Sequence, residues 1–430
     1  MNAHDIAQYA MQKLQETGAQ QYACEAHTSA KREFNVDGGK FSLLRTTIDN
    51  RLDLTLIKDN RRGKTLINAF THEAVDEAVR DCLASAEGSA PDPAWELVSG
   101  TQRNFTLGAP DGNMDHLFAR TQEMLQSIQQ EYPKVMVEQM IVAHQRAEGI
   151  YLNSLGARYE SLEGLYEAQV MFSGHEGEKS SSFNFAAVVT DNLLKPFLDQ
   201  GSMRQNLADA EKQINTIASE GKFVGTVVFT PDCAGDVLGE LLGNFVGDGV
   251  ILDGTSPWKD KLGEQVADPR ITLSAAPRHP GIVCGERYVS DGYLSEDYDI
   301  IREGKLNQFM LSGYVANKTG KKRAPNSSDS LVMQPGDQTL KELLSGIERG
   351  LLVSRFSGGS PASNGDFSGI AKNSFLIEHG QITSAVSETM ISGNLAEMVN
   401  HLRGISRETV RNGYSLLPWF AVDGITISGK

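Results

Sequence analysis

A chain of 430 residues exceeds what one hydrophobic core usually organises, so two domains are expected, each large enough to fold without disulfides or a structural metal. A net charge of −15 repels phosphate backbones and argues against direct nucleic-acid binding. Cys24, Cys82, Cys233 and Cys284 are far apart and form no CxxC pair, which leaves buried free thiols in a reducing cytoplasm as the plain expectation.

No apolar run approaches the ~18 residues of a membrane span, and the first residues, with Asp5 among them, do not form a signal peptide. Ile6, Tyr9, Ala10, Met11 and Leu14 recur at helical spacing before Gly18, which predicts an opening amphipathic helix. YACEAHTSAKREFNV, GKFSLLRTT and RLDLTLI then read as strands of an antiparallel meander, with Leu52, Leu54 and Leu56 on one face and DGG and DNRRG as turns. FTHEAVDEAVRDCLASAEGS is a second helix, with Thr71 as its cap. After the break APDPAW, Leu117, Met124, Leu125 and Ile128 mark a third. Strands return from KVMVEQMIVAHQ to SSFNFAAVV, a polar helix is expected over SMRQNLADAEKQINTIASEG, and a new strand begins in GKFVGTVVFTPD. The domain boundary is placed near Gly221, giving an N-terminal domain of residues 1–220 and a C-terminal domain of 221–430.

In the second half, Thr230 can cap a helix that begins with Pro231 and Asp232, both favoured in a first turn. That helix continues through VLGELLGNFVGDG. Strand pairs are expected in DIIREGKLNQFML and SFLIEHGQITSAV, and helices in TLKELLSGIERG and NLAEMVNHLRG. Thr339 with Glu342 fits a capping box, Asn394 a cap, and Gly350 and Gly404 helix stops. Strands and helices do not alternate one for one, so the fold class is α+β, with an antiparallel sheet and packed helices in each domain.

Chemical motifs are sparse. His72-Glu73 lacks the second histidine of a zincin, because Asp76 and Glu77 occupy the positions where it could stand. His175, Glu176 and Glu178 fall in a glycine- and serine-rich hairpin loop, read as solvated surface, as is the basic turn with Lys318, Lys321, Lys322 and Arg323. RFSGGSPASNGDFSG reads as a flexible loop between helix and strand. No GxSxG elbow, Walker loop or dinucleotide fingerprint is present. Gly239, Gly243 and Gly247 recur every fourth residue at a cost in helix stability, which predicts close packing against another helix or a partner subunit.

From FTPDCAGDVLGELLGNF onward, through KLGEQVADP, IERGLLV and SLLPWFAVDGITISG, the chain resembles the TldD/PmbA family, named both as modulators of DNA gyrase and as metallopeptidases. NSLGARYES extends the resemblance into the first half. The resemblance implies that the catalytic branch holds zinc with an HExxxH helix and a cysteine near the C-terminus. Here the matching residues are GELLGN: Gly239 and Asn244 stand at the histidine positions, Glu240 alone is retained, and no cysteine follows Cys284. Glycine has no donor and an asparagine amide is a poor zinc ligand.

The resemblance is therefore to the PmbA/TldE branch, and it implies a cytoplasmic subunit without a catalytic zinc of its own. Zinc is expected only in an HExxxH-bearing TldD-like partner, and the substrate would be an unfolded or extended peptide. The degenerate site is Gly239, Glu240 and Asn244, with Glu240 and Asn244 spaced to hydrogen-bond on one helical face. Two alternatives remain open. One is a homodimeric regulator of the gyrase-modulator type without hydrolytic activity. The other is a hydrolase that uses Glu240 with a metal on His279, His379 or His401.

Overall fold

The computed structural model describes residues 1–430 except Glu388. Among the described residues the strands gather into two sheets with helices packed upon them, so the α+β expectation holds, but each sheet is mixed rather than purely antiparallel, with Gln102–Gly108 parallel to its neighbour in one and Lys222–Phe229 parallel to Arg349–Val353 in the other. None of the described helices is long and apolar enough to cross a membrane.

The first sheet has eight strands, all between Gln21 and Thr190. Its meander is built as expected with one change. GKFSLLRTT and RLDLTLI form a single strand, Lys40–Lys58, paired antiparallel with Gln21–Asp37 from Asp37↔Lys40 to Gln21↔Ile57. Asp49 and Asn50, between the two segments, stay extended and pair with Ser29 and Thr28. The chain reverses only at Asp59 and Asn60, whose φ values of 53° and 61° are those of a tight hairpin turn. Strand alternation puts Cys24, Ala26, Leu52, Leu54 and Leu56 on one face. Ile6, Ala10 and Leu14 of the Ala3–Glu16 helix and Val75 and Cys82 of the His72–Gly88 helix cover that face. Further along it, the Met114–Glu131 and Met203–Lys212 helices cover Met140, Val142, Val170 and Phe172. All four helices share this face, so Glu25, His27, Ser29, Lys31 and Glu33 point the other way.

The second sheet has fourteen strands. Lys222–Phe229 lies at its centre, antiparallel to Leu416–Ser428 and parallel to Arg349–Val353. Several expectations are corrected here. The polar helix ends at Lys212, and Thr216–Ala218, with two β-branched residues, forms a strand parallel to Ala385–Ser387. The helices at Leu340–Ser345 and Leu395–Asn400 are short, and neither Gly350 nor Gly404 ends one. Both glycines lie inside strands, Gly350 because a Cβ there would sit 2.3 Å from the Thr226 carbonyl oxygen. RFSGGSPASNGDFSG is mostly an antiparallel hairpin, Arg355–Gly358 against Asp366–Lys372. The Thr339/Glu342 capping box and the Asn394 cap are formed.

The two sheets meet along several contacts. Val189 on the outer strand of the first sheet donates its N–H to the Asn412 carbonyl at 2.8 Å. Gly413 beside it has φ 96°, and a Cβ there would lie 2.0 Å from the Val189 oxygen. Trp95 stacks on Tyr314 at 3.7 Å, and Lys318 pairs with Asp92 at 3.0 Å. The basic turn is therefore not simply solvated surface: Lys318 ties the halves together, and Arg323 lies 3.1 Å over the Tyr293 ring.

Candidate functional site

The glycine-rich helix runs from Pro231 to Phe245. Proline opens it at no cost in hydrogen bonds, and Thr230 has the extended backbone of a cap. The cap expectation is half met, because the Thr230 hydroxyl is buried without a partner among the described residues and caps nothing. Cys233, Ala234, Val237, Leu238, Leu241, Leu242 and Phe245 turn inward against the sheet, which fixes the helix by its apolar stripe.

The opposite face opens on a cavity of about 920 Å³ between the two sheets. Asp232, Asp236 and Glu240, four residues apart, form an acidic ladder on that wall, with Gly235 and Gly239 among them. The Ser354–Gly359 segment faces it, Asn184–Ala187 come from the outer strand of the first sheet, and Asn412, Tyr414 and Ser415 come from the turn docked on that strand.

Asn206, on a helix of the first sheet, donates to the Asp232 carboxylate at 3.0 Å. Burial pushes the Asp232 carboxyl above its ordinary range, and the hydrogen bonds from Asn206 and Ser202 oppose that shift. The Asp236 carboxyl, though solvent-exposed, is also raised, by partial desolvation first and then by the charges of Asp232 and Glu240. The Tyr414 phenol is pushed up to about 12, by desolvation first and then by the same two aspartates. Across the cavity, burial lowers the Arg355 guanidinium below its ordinary value. Arg355 lies 4.4 Å from the Phe183 ring and donates to the Phe183 carbonyl at 3.3 Å, and it meets no carboxylate among the described residues. The arrangement can attract a cation on one wall and an anion or carbonyl on the other.

The expected site residues separate. Gly239 and Glu240 lie on the cavity wall, but Asn244 does not: its amide donates to the Ala362 carbonyl at 2.8 Å and makes no bond to Glu240. The packing expectation fails within the chain, since a Cβ at Gly239 or Gly243 would meet nothing within 4 Å, and Gly247 approaches only Gly243. Zinc does not fit this helix. Gly239 has no donor atom, Asn244 is committed elsewhere, and Glu240 is not gathered with two further His, Cys, Asp or Glu ligands among the described residues.

The histidines of the alternative reading are not gathered into a site, and no group of three His, Cys, Asp or Glu among the described residues could share a metal. His379 pairs with Glu348 at 2.6 Å, and His279 accepts from the Gly281 N–H. Cys24, Cys82 and Cys233 are buried as expected, while Cys284 is exposed. Sequence reading missed Asp236 and Arg355. The like-charge spacing of the ladder is a readable signal, but nothing local marks Arg355.

The fold and site define an α+β chain whose glycine-rich helix faces a cleft between two sheets and carries no zinc donors at Gly239 or Asn244. Residues 221–429 match the family described as the PmbA/TldA metallopeptidase C-terminal domain. The chain is 24% identical over 400 residues to Metalloprotease PmbA of Escherichia coli O157:H7, covering 87% of this chain and 86% of that protein. Its fold is similar to that of TldE from Thermococcus kodakarensis, with a TM-score of 0.83 at 19% identity over 99% of both chains. It is also similar to a Bacteroides thetaiotaomicron protein named as a candidate modulator of DNA gyrase, with a TM-score of 0.85 at 23% identity over 99% of both chains. The C-terminal half thus carries a domain of the PmbA/TldD family, and the missing histidines agree with the PmbA/TldE branch.

Proposed function

We propose that this chain is the zinc-free subunit of a cytoplasmic TldD-type metallopeptidase, built of domains 1–220 and 221–430. It pairs with an HExxxH-bearing chain and holds an extended peptide for that partner's zinc to cleave. The observation that carries this reading is the peptidase-type helix lining a roughly 920 Å³ cleft with Gly239 where a zinc ligand would stand.

The outer strand of the first sheet supports a peptide as occupant. Val189 sends its N–H outward to Asn412, so by strand alternation the Ala187 N–H also points outward, at the cavity wall, and has no partner among the described residues. An extended peptide could add there through its backbone, with little demand on sequence. Purified alone, the chain is expected to bind no stoichiometric zinc and to cleave no unfolded peptide. Co-purification from its native host is expected to recover an HExxxH chain. Chelator-sensitive hydrolysis by the isolated chain, or recovery of only itself or a topoisomerase, would overturn the proposal.

A further inference from the structure

The cavity holds three groups that the degenerate peptidase motif and the fold do not account for together. The first is the ladder of Asp232, Asp236 and Glu240. Asp232 is bonded to Asn206, while Asp236 and Glu240 are exposed and make no ion pair among the described residues. Like charges four residues apart on a helix destabilise it, so the fold alone gives no reason for this spacing.

The second is Asn184, only 6% exposed, on the cavity wall. The Phe185 N–H donates to the Asn184 Oδ1 at 2.9 Å, which fixes the orientation of the amide, and the Nδ2 group is left buried with no acceptor. A buried donor without an acceptor costs about 1–3 kcal/mol, a cost that a ligand's oxygen would remove. The third is Arg355, a half-buried guanidinium without a carboxylate partner among the described residues. One cavity thus carries carboxylates with no cationic partner, an amide donor with no acceptor and a guanidinium with no carboxylate partner among the described residues.

We infer that the cavity is a binding site for the ammonium group of a peptide, held by the ladder formed by Asp232, Asp236 and Glu240, with Asn184 and Arg355 taking the peptide's carbonyl or carboxylate oxygens. The inference rests on the peptide-holding function proposed above and adds a substrate class: peptides that present a free amino terminus or a lysine. A metal cation suits the site less well, because Asn184 and Arg355 present donors and would repel or ignore it. The net charge of −15 also favours encounter with cationic segments.

The test uses the full chain and four labelled peptides of one length and one uncharged core sequence. The first has a free amino terminus and no lysine. The second is N-acetylated and has no lysine, the third is N-acetylated with one lysine, and the fourth is N-acetylated with that lysine acetylated. Affinities are read by fluorescence anisotropy at low and high salt, for the natural chain and for a D236N/E240Q variant. That variant keeps the Asp232–Asn206 bond and removes like-charge repulsion, so it is expected to fold, with an unchanged circular dichroism spectrum as the check.

The expected result is at least about tenfold tighter binding of an ammonium-bearing peptide than of its acetylated counterpart, consistent with a charged hydrogen bond. That advantage should shrink with salt and vanish in D236N/E240Q. Comparing the first and third peptides distinguishes a terminal from a side-chain ammonium. If all four peptides bind alike, and bind the variant alike, the ammonium inference is overturned while the peptide-holding reading stands. If none binds, either to the chain alone or to its complex with an HExxxH partner, both are overturned.

Discussion

The two faces of the Pro231–Phe245 helix obey opposite rules. On the inner face, Leu238, Leu241, Leu242 and Phe245 are all at or below 3% exposed, and every atom is placed by its neighbours. On the outer face, two glycines leave space that nothing in the chain fills, and three carboxylates stand in a row beside them. The inner face is what stability requires. The outer face costs stability, both through helical glycine and through like-charge spacing, so its residues report a use outside this chain's own core.

The comparison can be broken most forcefully from the inside. Leu241→Ala empties a fully buried site and is expected to cost about 2–5 kcal/mol in denaturant unfolding, because the transfer and cavity terms add. A loss under about 1 kcal/mol would mean that the inner face is less tightly packed than the structure has it.

Gly239→Ala should go the other way. Its backbone is not in the left-handed region and its Cβ would meet nothing, so helix propensity alone predicts a gain of up to about 1 kcal/mol for the isolated chain. A destabilised variant whose melting temperature falls with dilution would point to close packing against a second copy. A gain in the isolated chain together with weaker association with an HExxxH partner would place that partner on this face.

Asp236→Asn is the smallest change and carries the pH dependence. The folded chain raises this carboxyl above its ordinary 3.8, so folding binds a proton more tightly than the unfolded chain does. Stability from this group therefore falls as pH rises from 3.8 through the folded value, and stays lower above it. The melting curves of the natural chain and the variant should coincide at the acid end and separate above it, with the variant the more stable. A variant less stable at neutral pH would show that the Asp236 charge is satisfied rather than strained.

How much was legible differs between the two faces for the same physical reason. The inner stripe, the strand alternation at Leu52, Leu54 and Leu56, and the Thr339/Glu342 capping box are local patterns, and the structure keeps all of them. Gly350 and Gly404 misled because a glycine at a helix end and a glycine inside a tightly packed strand look the same in one dimension. Only the Thr226 carbonyl, more than a hundred residues away, distinguishes them at Gly350. The cavity was hidden more deeply. Its walls come from residues near 184, 206, 236, 355 and 414, and no periodicity connects those positions. The ladder could have been noticed as three acids at helical spacing, whereas Arg355 becomes meaningful only once its lack of a carboxylate is visible.

The short strand Thr216–Ala218 has a mechanical consequence. It precedes the central strand of the second sheet, yet it is bonded into that sheet's edge beside Ala385–Ser387. Just beyond it, Gly221 exchanges backbone hydrogen bonds with Gly429 and Lys430. The connection between the sheets is thus riveted on its downstream side. On its upstream side, between Thr190 and Thr216, the Met203–Lys212 helix carries Asn206 against Asp232. The connecting segment is therefore anchored to the second sheet at two separate points, an edge strand downstream and the first turn of the glycine-rich helix upstream.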